Sequence, residues 1–202
     1  MRKVIFGIMG LTLAAGSAQA AGIGARIGTT GLGADVAWSL APTLAARLGY
    51  SGGSVDHDVS TDITYHGKLK LSNLNTFLDF SPLGPFRITG GFVFNQNKFD
   101  VHTDQVNGGS ISGTVKPGNS SAPYLGIGYG NVAGAGVNFY ADLGIMFQGS
   151  PKATLTANCG SLSAAQCNSL QSQVASQQTQ LEDKLKNAKY YPVLNIGLTI
   201  GF

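Results

Sequence analysis

The chain has 202 residues, with 13 basic and 10 acidic side chains and no basic run. This balance argues against a nucleic-acid surface. Charged residues make up only 11% of the chain, although roughly 25% is usual in soluble domains, whereas apolar residues reach an ordinary 43% and glycine occurs 29 times. The composition therefore points away from an ordinary soluble domain.

The first 20 residues have the pattern of a cleavable signal peptide. Arg2 and Lys3 form a positive start, residues 4–15 are apolar, and small residues precede Ala21, where we expect cleavage. A short membrane anchor is the alternative, but no basic stop-transfer segment follows. No later apolar stretch approaches the roughly 18 residues of a transmembrane helix. Residues 21–202 are therefore predicted to be one exported domain.

Apolar and polar residues alternate with period two along much of this domain, which is typical of strands with one apolar face. Within Gly22–Leu40 the phase flips near residue 30, so this segment is either a hairpin or one bulged strand. The hairpin gives eight strands, and single-chain bacterial barrels have an even number. The other alternating runs lie at 44–50, 74–80, 86–94, 125–129, 137–147 and 190–202.

Short and long connections between these runs alternate. The short turns are predicted at 41–43, 81–85 and 130–136. Long polar loops are predicted at 51–67, 99–120 and 149–189. Short turns on one side and long loops on the other are typical of outer-membrane barrels. The sequence thus predicts an all-β fold, an eight-stranded antiparallel transmembrane β-barrel.

The last long connection contains a segment of a different kind. Residues 161–186 are rich in glutamine, with leucine and valine at helical spacing. We expect an amphipathic helical insertion before the last strand, lying on the barrel rim, over its mouth or inside it. Cys159 and Cys167 are the two cysteines of an exported chain, so a disulfide is expected. Their spacing does not fit a zinc site.

Six charged residues fall on inward positions of the predicted strands. They are Arg26, Asp35, Arg47, Asp79, Arg87 and Asp142. Three cations and three anions predict an internal ion-pair network in place of an open channel, because eight strands enclose a lumen that side chains can fill. The alternative is a narrow cavity in which water solvates these charges.

The turn at 81–85 suggests a specific pairing. If Phe80 lies opposite Phe86, Asp79 faces Arg87 directly across the hairpin. Both phenylalanines would then belong to an aromatic girdle at the inner membrane interface.

The closing run carries its largest apolar residues on one face and ends on an aromatic residue. These residues, with Tyr191 at the start, are Leu194, Ile196, Leu198, Ile200 and Phe202. The pattern resembles the C-terminal signature by which outer-membrane barrels are recognised for assembly. A C-terminal edge strand of a soluble periplasmic sandwich is the alternative.

The mature chain as a whole resembles small outer-membrane β-barrels of the OmpW, OmpX and OmpA-barrel type. The resemblance implies location in the outer membrane, with lipid, lipopolysaccharide and the barrel assembly machinery as partners. It specifies no activity. We expect a non-enzymatic barrel with a role in envelope integrity or surface interaction, and the alternative is a narrow porin-like channel for small or hydrophobic solutes. The sequence leaves the oligomeric state open.

Catalysis and metal binding have little support in the sequence. Some small barrels are lipid A acyltransferases or deacylases, and His57, Ser60 and Asp62 have matching residue types. Their spacing does not compel a triad. The acidic residues around His57 lack the spacing of a calcium loop. We therefore expect no catalytic residues, no metal and no cofactor.

Overall fold

The computed structural model describes residues 20–60, 64–103 and 108–202, with the backbone alone described at 57–60, 64 and 65. The predicted signal peptide, residues 1–20, lies outside this part of the chain apart from Ala20. In chain order the elements are β1 (Ala21–Gly28), β2 (Gly31–Ala41), β3 (Leu44–Ser60), β4 (Thr64–Leu83), β5 (Phe86–Asn95), β6 (Lys98–Thr103), β7 (Ser110–Lys116), β8 (Ser121–Gly130), β9 (Gly136–Phe147), β10 (Lys152–Asn158), α1 (Ala164–Leu185) and β11 (Tyr190–Gly201).

Eight strands close into a ring in the order β1–β2–β3–β4–β5–β8–β9–β11, with every neighbouring pair antiparallel. The ring closes where β11 pairs with β1, from Gly22 opposite Gly201 to Gly28 opposite Asn195. The predicted eight-stranded antiparallel barrel with one helix before the last strand is confirmed. The hairpin near residue 30 is also confirmed, because Gly28 pairs with Gly31 across a two-residue turn.

The outer face of the ring is apolar and exposed on all eight strands. Examples, one from each strand in chain order, are Ile23, Leu32, Leu48, Leu78, Ile88, Ile127, Leu143 and Ile196. A continuous exposed apolar surface of this kind marks a contact with lipid or with another protein. The same face of a transmembrane barrel meets the hydrocarbon of the bilayer.

Aromatic side chains border this apolar band at both ends. Toward the end that holds Ala21 and Phe202, the rings of Phe86 and Tyr129 meet edge to face at 5.3 Å. At the opposite end, the rings of Phe147 and Tyr190 meet in the same way at 5.6 Å. Paired aromatic girdles are a feature of barrels that span a membrane.

Among the described residues, much of what the sequence predicts as loop is strand, so the long loops predicted at 51–67, at 99–120 and in the part of 149–189 before the helix are largely wrong. β3 and β4 continue beyond the ring as one long hairpin. The free edge of β4 pairs with β6, β6 pairs with β7, and β7 pairs with β10. Backbone groups on an exposed strand edge need partners, and these strands supply them. We call this extension, formed by 53–60, 64–71, β6, β7 and β10, the side sheet.

Helix α1 lies within the segment 161–186 that the sequence predicts to be helical. Ser163 caps its N-terminus in a capping box with Gln166. Val174 is buried, and Gln178 accepts a hydrogen bond of 3.0 Å from the backbone N–H of Leu155 in β10. The helix therefore packs against the side sheet. Of the helices in the described part of the chain, none is long and apolar enough to cross a membrane.

The two faces of the side sheet differ in character. In β4 the residues Asn73 and Asn75 point into the barrel, so Leu69 and Leu71 continue the inward face. Buried Ala153 and half-buried Leu155 belong to this face in β10, beneath α1. The opposite face continues the exposed outer face of the ring and is polar.

The expected disulfide is present between Cys159 and Cys167, with the two Cα atoms 5.3 Å apart. It ties the end of β10 to the first turn of α1. Replacing both cysteines with serine should destabilise this connection by about 2–3 kcal/mol, because the cross-link constrains the unfolded chain. Limited proteolysis should then cut the region 159–189 faster than in the parent protein.

The barrel itself should be unaffected by this double substitution, since the ring strands close without the helix. The heat-dependent shift in gel migration reports on the folded barrel and should stay unchanged. A lost shift would contradict the assignment of the disulfide to the side sheet and helix alone.

Candidate functional site: the charged barrel interior

All six predicted inward charges lie inside the barrel, each no more than 3% exposed. Strand alternation puts them there, because each occupies an inward position of a different ring strand. The strands concerned are β1, β2, β3, β4, β5 and β9. Sequence reasoning thus found the right residues but not their contacts.

Arg47 is the centre of the larger group. Its Nε and Nη2 atoms each donate a hydrogen bond of 3.0 Å to the carboxylate of Asp79. Its Nη1 atom donates to Asp142 at 2.7 Å. Arg87 Nη2 donates to the other oxygen of Asp142 at 2.5 Å, and Arg87 Nη1 donates to the carbonyl of Gly130 at 2.8 Å. The result is a chain of alternating charge in which each carboxylate is shared or held by two donors.

A second group adjoins the first. Arg26 Nη1 donates to Asp35 at 2.7 Å, and the Tyr140 hydroxyl donates to the other oxygen of Asp35 at 2.5 Å. The Tyr140 ring lies 5.2 Å from the guanidinium carbon of Arg47 and 5.4 Å from that of Arg87. Tyr140 thus joins the two groups by one hydrogen bond and two cation–π contacts.

The predicted pairing of Asp79 with Arg87 across the hairpin is wrong in register. Asp79 lies opposite Thr89, whose hydroxyl donates to it at 2.5 Å, and Phe86 lies opposite Leu83 instead of Phe80. The reason is an irregularity between Phe80 and Leu83, which adds one residue to β4 before the turn. Arg87 Nε still lies 3.6 Å from Asp79 along the diagonal.

An apolar layer covers the ion-pair network on the side toward the side sheet. Its buried members are Phe77, Val93, Ala122, Tyr124, Met146 and Val193. The inward positions of Gly126 and Gly144 leave room for the Tyr124 ring, because a Cβ at either position would collide with its hydroxyl. Sequence reasoning did not identify this apolar layer.

A layer of buried polar side chains follows at the outer mouth. Asn73 donates to Asn97 at 2.9 Å, and Thr30 donates to Asn195 at 3.1 Å. The side chains of Asn73, Thr30 and Asn195 are all at most 3% exposed. Three successive layers, charged, apolar and amide, therefore fill the barrel from its middle to this end.

The other end of the barrel is open to a cavity of about 600 Å³. The connection between β8 and β9 folds inward, and Val132 and Ala133 are buried beside Tyr140. Asp79 and Arg87 reach the cavity from the network. The cavity stops at these charges and at the layers above them.

The residues considered for catalysis or metal binding are not brought together by the described part of the chain. His66 and His102 are exposed on neighbouring strands of the side sheet, opposite one another. The side chains of His57 and Ser60 and the whole of Asp62 lie outside the described residues. Among the residues that are described, no three His, Cys, Asp or Glu side chains form a metal-binding group.

The predicted assembly residues occupy β11 and the chain end. Leu194, Ile196, Leu198, Ile200 and Phe202 are exposed on the outer face. Tyr191 points the other way, and its hydroxyl donates to the carbonyl of Thr29 at 2.7 Å. Their recognition in assembly stays a prediction.

No family model matches this sequence, and no curated protein matches it either. Solved structures do match. Acinetobacter baumannii CarO2 superposes with a TM-score of 0.64 at 21% identity, over 91% of this chain and 98% of that one. A. baumannii CarO superposes with a TM-score of 0.61 at 22% identity, over 90% of this chain and 97% of that one. A major outer membrane protein from Thermus thermophilus superposes less well, with a TM-score of 0.47 at 17% identity, over 92% of this chain and 100% of that one.

These neighbours are outer-membrane β-barrel proteins, and at such identities the likeness shows the fold. This chain has the fold of an outer-membrane β-barrel. The likeness to the two Acinetobacter proteins extends over nine-tenths of this chain.

Arg47→Met should cost about 3–5 kcal/mol of unfolding free energy, since it strands the carboxylates of Asp79 and Asp142 in a dry interior. Arg26→Met should cost less, because Asp35 keeps the hydrogen bond from Tyr140. Urea titration of the refolded protein in detergent micelles measures both. Equally small losses of unfolding free energy in the two variants would show that water, not Arg47, solvates the carboxylates of Asp79 and Asp142.

Proposed function

We propose that this protein is a closed, non-enzymatic outer-membrane barrel whose role is structural or lies in surface interaction. In this arrangement the exposed apolar band contacts lipid, both chain termini lie on the periplasmic side, and the side sheet with α1 stands outside the cell. The outer-membrane location is supported by the barrel neighbours, the two aromatic girdles and the predicted signal peptide.

The closed interior is the observation that carries the proposal. Arg47, Asp79, Asp142 and Arg87 pair with one another, and Tyr124 and Met146 lie over them. A channel needs a continuous polar path lined by groups available to solutes. Charges that hydrogen-bond one another beneath an apolar layer do not offer one.

A narrow channel is the second candidate. The cavity of about 600 Å³ at the periplasmic end favours it, since it would be the inner vestibule of such a path. Asp79 and Arg87 would then be the selectivity element. For conduction, the layers between the network and the outer mouth would have to open.

Two partners belong to the same proposal. The exposed face of β11 ending at Phe202 would be recognised by the barrel assembly machinery, as the resemblance implies. Lipid and lipopolysaccharide would surround the apolar band. An enzymatic role on lipid A has no support from the exposed His66 and His102, which lie on the side sheet away from the barrel wall.

Single-channel recording of the refolded protein in a planar bilayer tests the choice. The closed barrel predicts a silent membrane even though the heat-dependent gel shift and protease protection show folded, inserted protein. Unitary steps altered by Asp79→Asn or Arg87→Gln would establish the channel instead. Steps that persist unchanged in both variants would come from a path elsewhere and would contradict both candidates.

A further inference from the structure

Four lysines lie in one row across the polar face of the side sheet. Lys70 of β4 pairs with Lys98 of β6, and Lys116 of β7 pairs with Lys152 of β10. β6 and β7 pair Phe99 with Val115, so the next position of this antiparallel ladder sets Lys98 opposite Lys116. Directly paired residues share a face, and all four ammonium groups therefore project from the same side.

This face continues the lipid-contacting exterior of the barrel. Leu74 and Phe94 are exposed on the outer face of the ring and lie opposite one another. Lys70 follows Leu74 on the same face, four residues farther out, which is about 13 Å along a tilted strand. The polar headgroup region begins just beyond the hydrocarbon edge and is about 5–8 Å thick. At a strand tilt of about 45°, 13 Å along the strand is roughly 9 Å along the membrane normal, so Lys70 lies near the outer boundary of the headgroup region, from which a long lysine side chain can extend toward lipid phosphates.

The charge of the row is only partly compensated by the protein. The carboxylate of Asp100 forms ion pairs with the ammonium groups of Lys98, at 3.1 Å, and Lys70, at 3.7 Å. The hydrogen bond from Thr114, with the nearby ammonium groups, holds the pKa of Asp100 below its usual value, so this carboxylate stays ionised. Within the described residues, no ion pair joins Lys116 or Lys152 to a carboxylate. Like charges placed directly opposite one another destabilise a sheet unless an anion lies between them.

Lys116 and Lys152 also border a cavity of about 440 Å³ on this face. Thr154 and Thr156 line it, and their hydroxyl groups are possible donors to an anion. Both lysines are exposed and are not covered by the helix, which packs on the opposite face. Ammonium and hydroxyl donors around one cavity match the oxygens of a phosphate group.

We propose that the Lys116–Lys152 cavity binds a phosphate group of an outer-leaflet lipid headgroup, with Lys70 and Lys98 extending the site along the row. The inference rests on the proposed outer-membrane location, and it names the lipid chemistry that the side sheet recognises. The occupant is a phosphorylated glycolipid or other anionic lipid anchored in the same leaflet as the barrel. Binding would hold the side sheet against the membrane surface and compensate the paired lysines.

The test titrates folded protein in neutral detergent with fluorescent bisphosphorylated lipid A and follows fluorescence anisotropy. Lys116→Gln with Lys152→Gln should weaken binding about 30-fold at low salt, since each lysine near a lipid surface contributes on the order of 1 kcal/mol. Lys184→Gln with Lys189→Gln removes the same charge from the end of α1 and the segment after it, and should leave the affinity unchanged. Asp100→Asn should tighten binding, because it removes the anion that competes for Lys98 and Lys70.

Two further probes identify the source of the phosphate. Lipid A without phosphates should bind weakly and equally to the parent and the cavity variant. The inference would be overturned if the parent protein bound lipid A with and without phosphates equally well. It would also be overturned if the two double lysine variants lost the same affinity for phosphorylated lipid A. Displacement by inorganic phosphate at concentrations comparable to the lipid would show an anion site for solution ligands and would also overturn it.

Failure of the inference and failure of the proposed function give different results. Parent protein that inserts into bilayers with the heat-dependent gel shift, but does not distinguish the two lipids, overturns the lysine site alone. Parent protein that binds phosphorylated lipid through Lys116 and Lys152, but does not insert into bilayers, contradicts the outer-membrane barrel alone.

Discussion

Arg47 lies in the middle of the barrel with a carboxylate on either side, and the rest of the interior is arranged around this contact. Asp79 binds it through two hydrogen bonds and Asp142 through one. An arginine in this setting cannot lose its proton, so its charge must be compensated by the protein. Strand alternation supplies the partners from other walls of the ring, and Tyr140 lies beneath as a cation–π surface. We propose that the network stabilises the fold and closes the lumen.

The two ends of the barrel interior are filled differently, and the side sheet extends from one end only. Apolar and amide layers fill the end that carries the side sheet, while the end that holds Ala21 and Phe202 keeps a cavity that reaches Asp79 and Arg87. The side sheet adds a second two-faced surface, with α1 on the face that continues the lumen. The lysine row occupies the face that continues the apolar outer wall of the ring. The alternation of inward and outward residues thus continues from the ring strands into the side sheet.

The ring could be predicted because its strands have an exposed apolar face and an inward face, and this arrangement imposes strict alternation. Leu32 to Leu40 and Leu194 to Phe202 carry this pattern without interruption, and the same alternation placed all six interior charges. The side sheet was missed because one of its faces is polar and α1 packs on the other. Its apolar residues, such as Val101, Val115 and Leu155, do alternate, but glycine, serine and lysine between them resemble a loop. The register at Asp79 depended on an irregularity at Phe80–Leu83, for which alternation gives no signal.

A double-mutant cycle between Arg47→Met and Asp142→Asn tests the central claim most directly, with unfolding free energies measured in the same micelles. If the two side chains pair in an interior closed to water, their coupling energy should reach about 1–3 kcal/mol. A coupling of only a few tenths of a kcal/mol is expected for ions separated and screened by water. Such a result would contradict the closed network and would favour a hydrated channel through the barrel.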